Sequence, residues 1–231
     1  MFTGIIEAVG TVRQLQRRSG DLRLGVETGR LGMQDVHLGD SIATQGICLT
    51  VVEYSATAFA ADVSLETVAH STIASWVLGK RVNLEKAMQP LSRFGGHLVS
   101  GHVDGVGEIM AMSHSARALN VSVRAPQELM RYIALKGSIC VDGISLTVNG
   151  LQADAFDLTL VPHTMQQTAF GDWQTGVQVN LEVDIIARYL ERLSATDRQT
   201  GVQTGVQTGM QKTSGLSSGM DRDFLAQHGF L

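Results

Sequence analysis

The chain repeats itself once. Gly46-Ile47-Cys48-Leu49-Thr50-Val51 returns as Gly143-Ile144-Ser145-Leu146-Thr147-Val148, a displacement of 97 positions. The same displacement carries Val82-Asn83-Leu84-Glu85 onto Val179-Asn180-Leu181-Glu182. It also joins Gly4 to Gly101, Val9-Gly10 to Val106-Gly107, Val12 to Ile109, Leu38 to Leu135, Thr67 to Thr164 and Gly79 to Gly176. One constant displacement across so many separated matches is hard to obtain by chance. A unit of that length is too long for a solenoid module, so each copy is expected to be a small domain. The expected organisation is a first copy over 1–97, a second over 98–183, a helix over 184–194 and a tail over 195–231.

Within each copy the hydrophobic period is two. Leu22, Leu24 and Val26 alternate with polar neighbours, as do Val121 and Val123, and Phe156, Leu158 and Leu160. Short strands punctuated by Gly and Asp about every ten residues predict a small antiparallel barrel of about six strands. Gln127–Ala134 is expected as a short helix opened by Pro126, with a weaker counterpart at Leu31–Val36. Ile185, Ile186, Tyr189, Leu190 and Leu193 fall at helical spacing behind Asp184, which is placed to cap. That helix either packs on its own barrel or associates with copies of itself. Beyond Ser194 the fourfold-spaced Thr-Gly-Val-Gln units of 200–211 bury nothing and are expected to be flexible. The apolar end, with Phe224, Leu225, Phe230 and Leu231, is read as a disordered terminus, with a docking peptide as the alternative.

Composition removes several functions. A length of 231 residues with 44% hydrophobic content builds a core without metal or disulfide staples. A net charge of −4 and only 5% aromatic residues argue against a basic, stacking groove for nucleic acid. Cys48 and Cys140 form no C-x-x-C, which fits a reducing compartment. No apolar run is long enough to span a membrane, and the first residues lack a signal-peptide pattern; a soluble, cytoplasmic protein is expected. Gly79-Lys80-Arg81 lacks the rest of a phosphate-binding loop, and no metal motif occurs, so no metal is expected.

Four ordered motifs carry a family resemblance: Met1-Phe2-Thr3-Gly4; Gly46–Val51; Gly95-Gly96-His97-Leu98-Val99-Ser100-Gly101-His102-Val103-Asp104-Gly105; and Asp142–Val148. Together they resemble the α-type riboflavin synthases, over about residues 1–193. The resemblance implies an all-β fold of two tandem six-stranded antiparallel barrels of Greek-key type plus a C-terminal α-helix, assembled as a homotrimer. It implies dismutation of two 6,7-dimethyl-8-ribityllumazine molecules to riboflavin and 5-amino-6-ribitylaminouracil, with both lumazines held in one site between neighbouring subunits. It implies no cofactor and admits association with lumazine synthase. The alternative within the resemblance is a lumazine- or flavin-binding antenna protein without turnover.

The repeat suits a dismutation, because two related pockets hold two copies of one substrate in register. Donor and acceptor act differently, so the copies must differ; Cys48 matches Ser145, and Ile5 matches His102. The resemblance implies catalytic roles for Cys48, His102, Ser145, Thr147 and Asp184. Cys48 is either a transient nucleophile or a positioning thiol, and otherwise a small core residue. His102 suits proton transfer from the acidic methyl of the lumazine. Substrate contacts are expected from Phe2, Thr3, Gly4, Ile5 and Ile6; from Leu49, Thr50, Asp62, Ser64, Glu66 and Thr67; from Gly101, Val103, Lys136 and Leu146; and from Thr159, Val161, Pro162, His163 and Thr164. Neutral hydroxyls among them suit a five-carbon polyol. Cys140 is read as core, and His97 as a structural residue beside the crossing glycines Gly95 and Gly96.

Overall fold

A computed structural model describes residues 1–18 and 20–199, with side chains through 194. Met1–Ala195 forms one compact unit that holds both copies. The expected flexible tail from 200 onward lies outside the described residues.

Copy one comprises β1 (Ala8–Arg18), β2 (Asp21–Glu27), β3 (Ser41–Thr44), β4 (Ile47–Thr50), β5 (Glu53–Tyr54), β6 (Ala58–Ser64), the helix α1 (Leu65–His70) and β7 (Arg81–Lys86). Copy two comprises β8 (Gly105–Ser115), β9 (Ala118–Arg124), α2 (Gln127–Met130), β10 (Ser138–Val141), β11 (Ile144–Leu151), β12 (Ala155–Leu160), α3 (Pro162–Gln167) and β13 (Gln178–Val183). The last helix, α4, spans Ile185–Gln199.

Copy two closes into a six-stranded antiparallel barrel in the order β10-β11-β12-β9-β8-β13. The β8–β9 hairpin lies beside the β12 end of the β10–β12 meander, and β13 fills the place between β10 and β8, a Greek-key path. Copy one is a sheet in the order β4-β3-β7-β1-β2-β6-β5. Its two end strands, β4 and β5, match the two halves of β11 under the repeat displacement. Copy one is thus the same ring with one strand interrupted at Val51-Val52.

Alternation sorts the side chains. Leu24, Val26, Ile42, Phe59, Val63, Val82 and Leu84 fill copy one, and Ile109, Val121, Val123, Ile139, Phe156, Leu158 and Leu181 fill copy two. Each buried side chain of this size stabilises the fold by about 1.5–3 kcal/mol. On β4, Ile47 and Leu49 point inward while Cys48 and Thr50 point out; on β11, Ile144 and Leu146 point inward while Ser145 and Thr147 point out.

The copies meet tip to tip. The β3–β4 hairpin turns at Gln45-Gly46, with φ of 53° and 80°, and the β10–β11 hairpin at Asp142-Gly143, with φ of 50° and 84°. Two left-handed residues in a row mark the tight turn that matches strand twist. A Cβ on Gly46 would lie 2.7 Å from Gly143 N, so a side chain cannot occupy that contact. Asn83 Nδ2 donates to Asp142 O and Asn180 Nδ2 donates to Gln45 O, each at 2.9 Å. Buried Asp142 accepts from Asn180 N (2.8 Å) and Trp173 Nε1 (2.9 Å), and burial pushes its pKa up to about 6.

The helices depart from their expected bounds. The second-copy helix ends at Met130 rather than Ala134: beyond it the chain makes three-residue turns, Tyr132 N–H to Leu129 O at 3.0 Å and Ile133 N–H to Met130 O at 3.2 Å, in place of helical bonds. Leu31–Val36 forms turns and no helix. The terminal helix starts after Asp184, whose Oδ1 accepts Ile186 N–H at 3.0 Å as a cap does, and it runs past residue 194 to Gln199. Residues 195–199 contain no Pro or Gly to stop it.

Candidate active site

The opening segment of each copy crosses onto the other copy. Phe2 and Val99 exchange backbone hydrogen bonds, Phe2 N–H to Val99 O at 2.7 Å and the reverse at 3.1 Å. Both are buried, with Ala43 and Cys140, against Cys48 and Ala87. Beyond that bridge, Gly4 lies on Ser145 and Gly101 on Cys48. Ser145 N–H donates to Gly4 O, and Cys48 N–H donates to Gly101 O, each at 2.8 Å. Both glycines are left-handed, with φ of 75° and 80°, and a Cβ on either would lie 2.6 Å from the facing Cβ.

A buried glutamate anchors each crossing. Glu85 accepts from Thr3 N and Thr3 Oγ1 at 2.7 Å and from Gly4 N at 2.9 Å. Glu182 accepts from Ser100 N at 2.6 Å, Ser100 Oγ at 2.7 Å and Gly101 N at 2.9 Å. Burial raises the pKa of both carboxyls, against the pull of the three donors.

The crossings leave one gap per copy. Cys48 and Ser145 turn their N–H groups away from β3 and β10, and the two-residue period turns those of Thr50 and Thr147 the same way. In copy one, pairing to β6 resumes where Val52 N–H donates to Ala60 O. In copy two, the β11–β12 register starts at Val148 opposite Leu158. Thr50 and Thr147 therefore present backbone and hydroxyl to an opening between a crossing segment and the next strand. The far wall of the first opening is the end of β6 with α1, where Ser64 Oγ accepts Thr67 N–H at 3.1 Å. The far wall of the second is the end of β12 with α3, where Thr164 O accepts from Thr168 Oγ1 at 2.8 Å.

The structure distributes the expected site residues as follows. Thr3, Gly4, Ile5, Cys48, Thr50, Gly101, His102, Ser145 and Thr147 converge on the crossings; Ile5 and His102 are exposed. Ser64, Glu66, Thr67, Val161, Pro162, His163 and Thr164 form the far walls. The side chains of Phe2, Leu49 and Leu146 are interior. Ile6 and Val103 are half-buried against the second and first cores. Three others have intramolecular partners. Asp62 grips Arg23 through two hydrogen bonds, 2.6 and 3.0 Å; Thr159 Oγ1 donates to Asn120 Oδ1 at 2.9 Å; Lys136 Nζ donates to Asn149 Oδ1 at 2.9 Å. A cavity of about 690 Å³ lies beside Thr3, Ile5, Ser41 and Glu85.

One partner was missed by sequence reasoning. His97 Nδ1 lies 2.7 Å from Ser145 Oγ, and His97 is only 7% exposed. Its Nε2 is buried with no hydrogen-bond partner among the described residues. Burial lowers the imidazole pKa, and the carboxylate of Asp184 pulls it back up. The pair is 48 positions apart in sequence, so no local spacing announces it. The two openings are thus unlike: a thiol with an exposed imidazole nearby in one, a hydroxyl on a buried imidazole in the other.

Two copies of one frame, each with a polar opening on its outer face, define a protein built from two repeated domains of one kind. The family profile described as "Lumazine binding domain" matches residues 3–87 and again 100–184, and the chain belongs to that family. It is 48% identical over 198 residues to the riboflavin synthase of Photobacterium phosphoreum, covering 86% of this chain and 91% of that one. It is 43% identical over 192 residues to the riboflavin synthase of Bacillus subtilis, covering 83% and 89%. Among solved structures, LumP complexed with 6,7-dimethyl-8-(1'-D-ribityl) lumazine shares the fold at a TM-score of 0.72 and 22% identity, covering 79% of this chain and 99% of that chain.

Proposed function

We propose that this chain is a riboflavin synthase, converting two 6,7-dimethyl-8-ribityllumazine molecules into riboflavin and 5-amino-6-ribitylaminouracil. The observation that carries the reading is the pair of unlike openings built on one repeated frame, within a chain similar to riboflavin synthases over both copies. One product gains the four carbons that the other loses. Atoms and electrons therefore balance between the two substrate molecules, without an external oxidant.

Each opening takes one lumazine. The pyrimidine edge pairs with the free strand edge at Thr50 or Thr147, and the ribityl chain meets the hydroxyls of the far wall. At the first opening Cys48 adds to the electrophilic ring or shapes its seat, and His102 accepts the methyl proton. At the second, His97 holds the Ser145 hydroxyl and exchanges its proton, with Asp184 tuning the imidazole. Holding both rings in register supplies much of the rate.

The openings of one chain lie on outer faces, so a complete site needs a copy-one face and a copy-two face brought together from neighbouring chains. α4 supplies the means: Ile186, Tyr189, Leu190 and Leu193 are each more than half exposed, an apolar face suited to a homotrimer contact. The free thiols of Cys48 and Cys140 fit a reducing cytoplasm, and no helix among the described residues is long and apolar enough to cross a membrane.

The test is direct. Purified protein is mixed with the lumazine, chelator present and cofactor absent, and products are separated by chromatography. Riboflavin and the uracil in equal amounts, with two lumazines consumed per riboflavin, support the reading. Bound lumazine that persists for hours makes the protein an antenna-type carrier and removes the roles of Cys48, His102 and Ser145.

A further inference from the structure

The start of α4 is held from both sides by one carboxylate. Asp104, between the Gly101 crossing and β8, accepts Val183 N–H at Oδ2, 2.7 Å away, and takes the Arg188 guanidinium at Oδ1. These bonds grip the chain one residue before Asp184 and four residues after it. Four residues make about one helical turn, so Arg188 rises on the Asp184 side of α4. Arg188 also lies over the Tyr132 ring, 5.4 Å from its centroid, and Tyr132 Oη donates to Glu191 one turn further on.

Copy one shows which half of this bracket is specialised. Glu7, the counterpart of Asp104, accepts Lys86 N–H at 2.7 Å, so the strand-end bond belongs to the barrel frame. Leu91, the counterpart of Arg188, is 97% exposed and holds nothing comparable. The second half exists only in the copy where Asp184 acts on His97.

We infer that Asp104 and Arg188 are positioning residues for the reaction, aiming Asp184 at His97 and so setting the His97–Ser145 pair. The inference rests on the reading of Ser145, His97 and Asp184 as reaction machinery. Burial lowers the His97 imidazole pKa, and the Asp184 carboxylate opposes it. A displacement of about 1 Å far from the chemistry can cut a rate by about 100-fold.

The experiment compares Arg188→Ala, Arg188→Lys and Asp184→Asn in the full chain. It reads kcat and KM for the lumazine across pH, with sedimentation to follow assembly. Arg188→Ala is expected to lose about tenfold in kcat with KM within about twofold, at unchanged assembly mass, and Arg188→Lys to recover part of the loss. With the Asp184 field weakened, the imidazole loses its proton more readily. The acid limb of the profile therefore moves to lower pH in Arg188→Ala, toward its position in Asp184→Asn. An Arg188→Ala enzyme with the original kcat and profile, beside an impaired Asp184→Asn, refutes the bracket alone. An Asp184→Asn enzyme with the original rate and profile removes the site reading and the bracket with it. Loss that only tracks dissociation of the assembly makes Arg188 an assembly contact and also refutes the inference.

Discussion

Gly4→Ala is the sharpest probe of the crossings. Gly4 is left-handed at φ 75°, and its missing Cβ would lie 2.6 Å from Ser145 Cβ and 2.7 Å from Ser145 N. The left-handed conformation alone costs alanine about 1–2 kcal/mol. The overlap must then be relieved, at about 1–3 kcal/mol for an overpacked contact. The alternative relief breaks the Ser145 N–H to Gly4 O bond and strands a buried donor, at about 1–3 kcal/mol. Gly39→Ala is the control, because Gly39 is also left-handed, at 91°, but has nothing within 4 Å of its Cβ position. Gly4→Ala should therefore be less stable than Gly39→Ala by about 2 kcal/mol, or about 4–8 °C in Tm. Activity separates them further. Moving the crossing by a few tenths of an ångström shifts Ser145 against His97, so Gly4→Ala should lose at least about tenfold in kcat while Gly39→Ala keeps its rate. Scanning calorimetry and steady-state turnover measure both. Equal Tm values and equal rates for the two variants would refute the claim that the crossings set the reactive side chains.

Other consequences are independent of that one. Cys48 is only half-buried, so Cys48→Ala should cost less than about 1 kcal/mol in denaturant unfolding yet remove most turnover; wild-type turnover in that variant would assign the thiol to packing. The Asp142 carboxyl has a folded pKa of about 6 against 3.8 for the free group, so the fold favours its protonated form. Its contribution is complete below pH of about 4 and is lost as pH rises through about 6, by about 3 kcal/mol. The stability of the wild type relative to Asp142→Asn in urea should fall by that amount between pH 4 and 7; a constant difference would show that Asp142 does not titrate in this window. Leu190→Glu places charge on the apolar face of α4. Sedimentation should then show monomers with intact strand circular dichroism and little activity, and an active trimer would exclude α4 from the assembly.

Much of the fold was legible because the repeat displacement and the two-residue period act locally. Leu24, Val26, Phe156 and Leu158 announce which faces turn inward, and Gln45-Gly46 and Asp142-Gly143 are turn chemistry readable from two residues. The interruption of copy one at Val51-Val52 was not legible, since it depends on how β6 pairs across the ring. The His97–Ser145 contact was hidden for the same reason: only the crossing of residues 2–5 with 97–102 brings these two side chains together. Alternation placed Cys48, Thr50, Ser145 and Thr147 outward, and the same period places Leu49 and Leu146 inward. Asp184 carried two readings from sequence, and the structure bears on the first: its Oδ1 accepts Ile186 N–H and caps α4.

The central claim is that each reaction centre joins the copy-one opening of one chain to the copy-two opening of another. Two variants, Cys48→Ala and Ser145→Ala, would be co-expressed with different tags and the doubly tagged assemblies isolated. In mixed assemblies some centres combine an intact first opening from one chain with an intact second opening from the other. In a cyclic trimer with two chains of one variant and one of the other, one centre in three joins two intact openings, so doubly tagged assemblies should recover about a third of wild-type turnover per centre, from two parents that are each inactive. Mixed assemblies as inactive as their parents would contradict the claim and place the whole site within one chain.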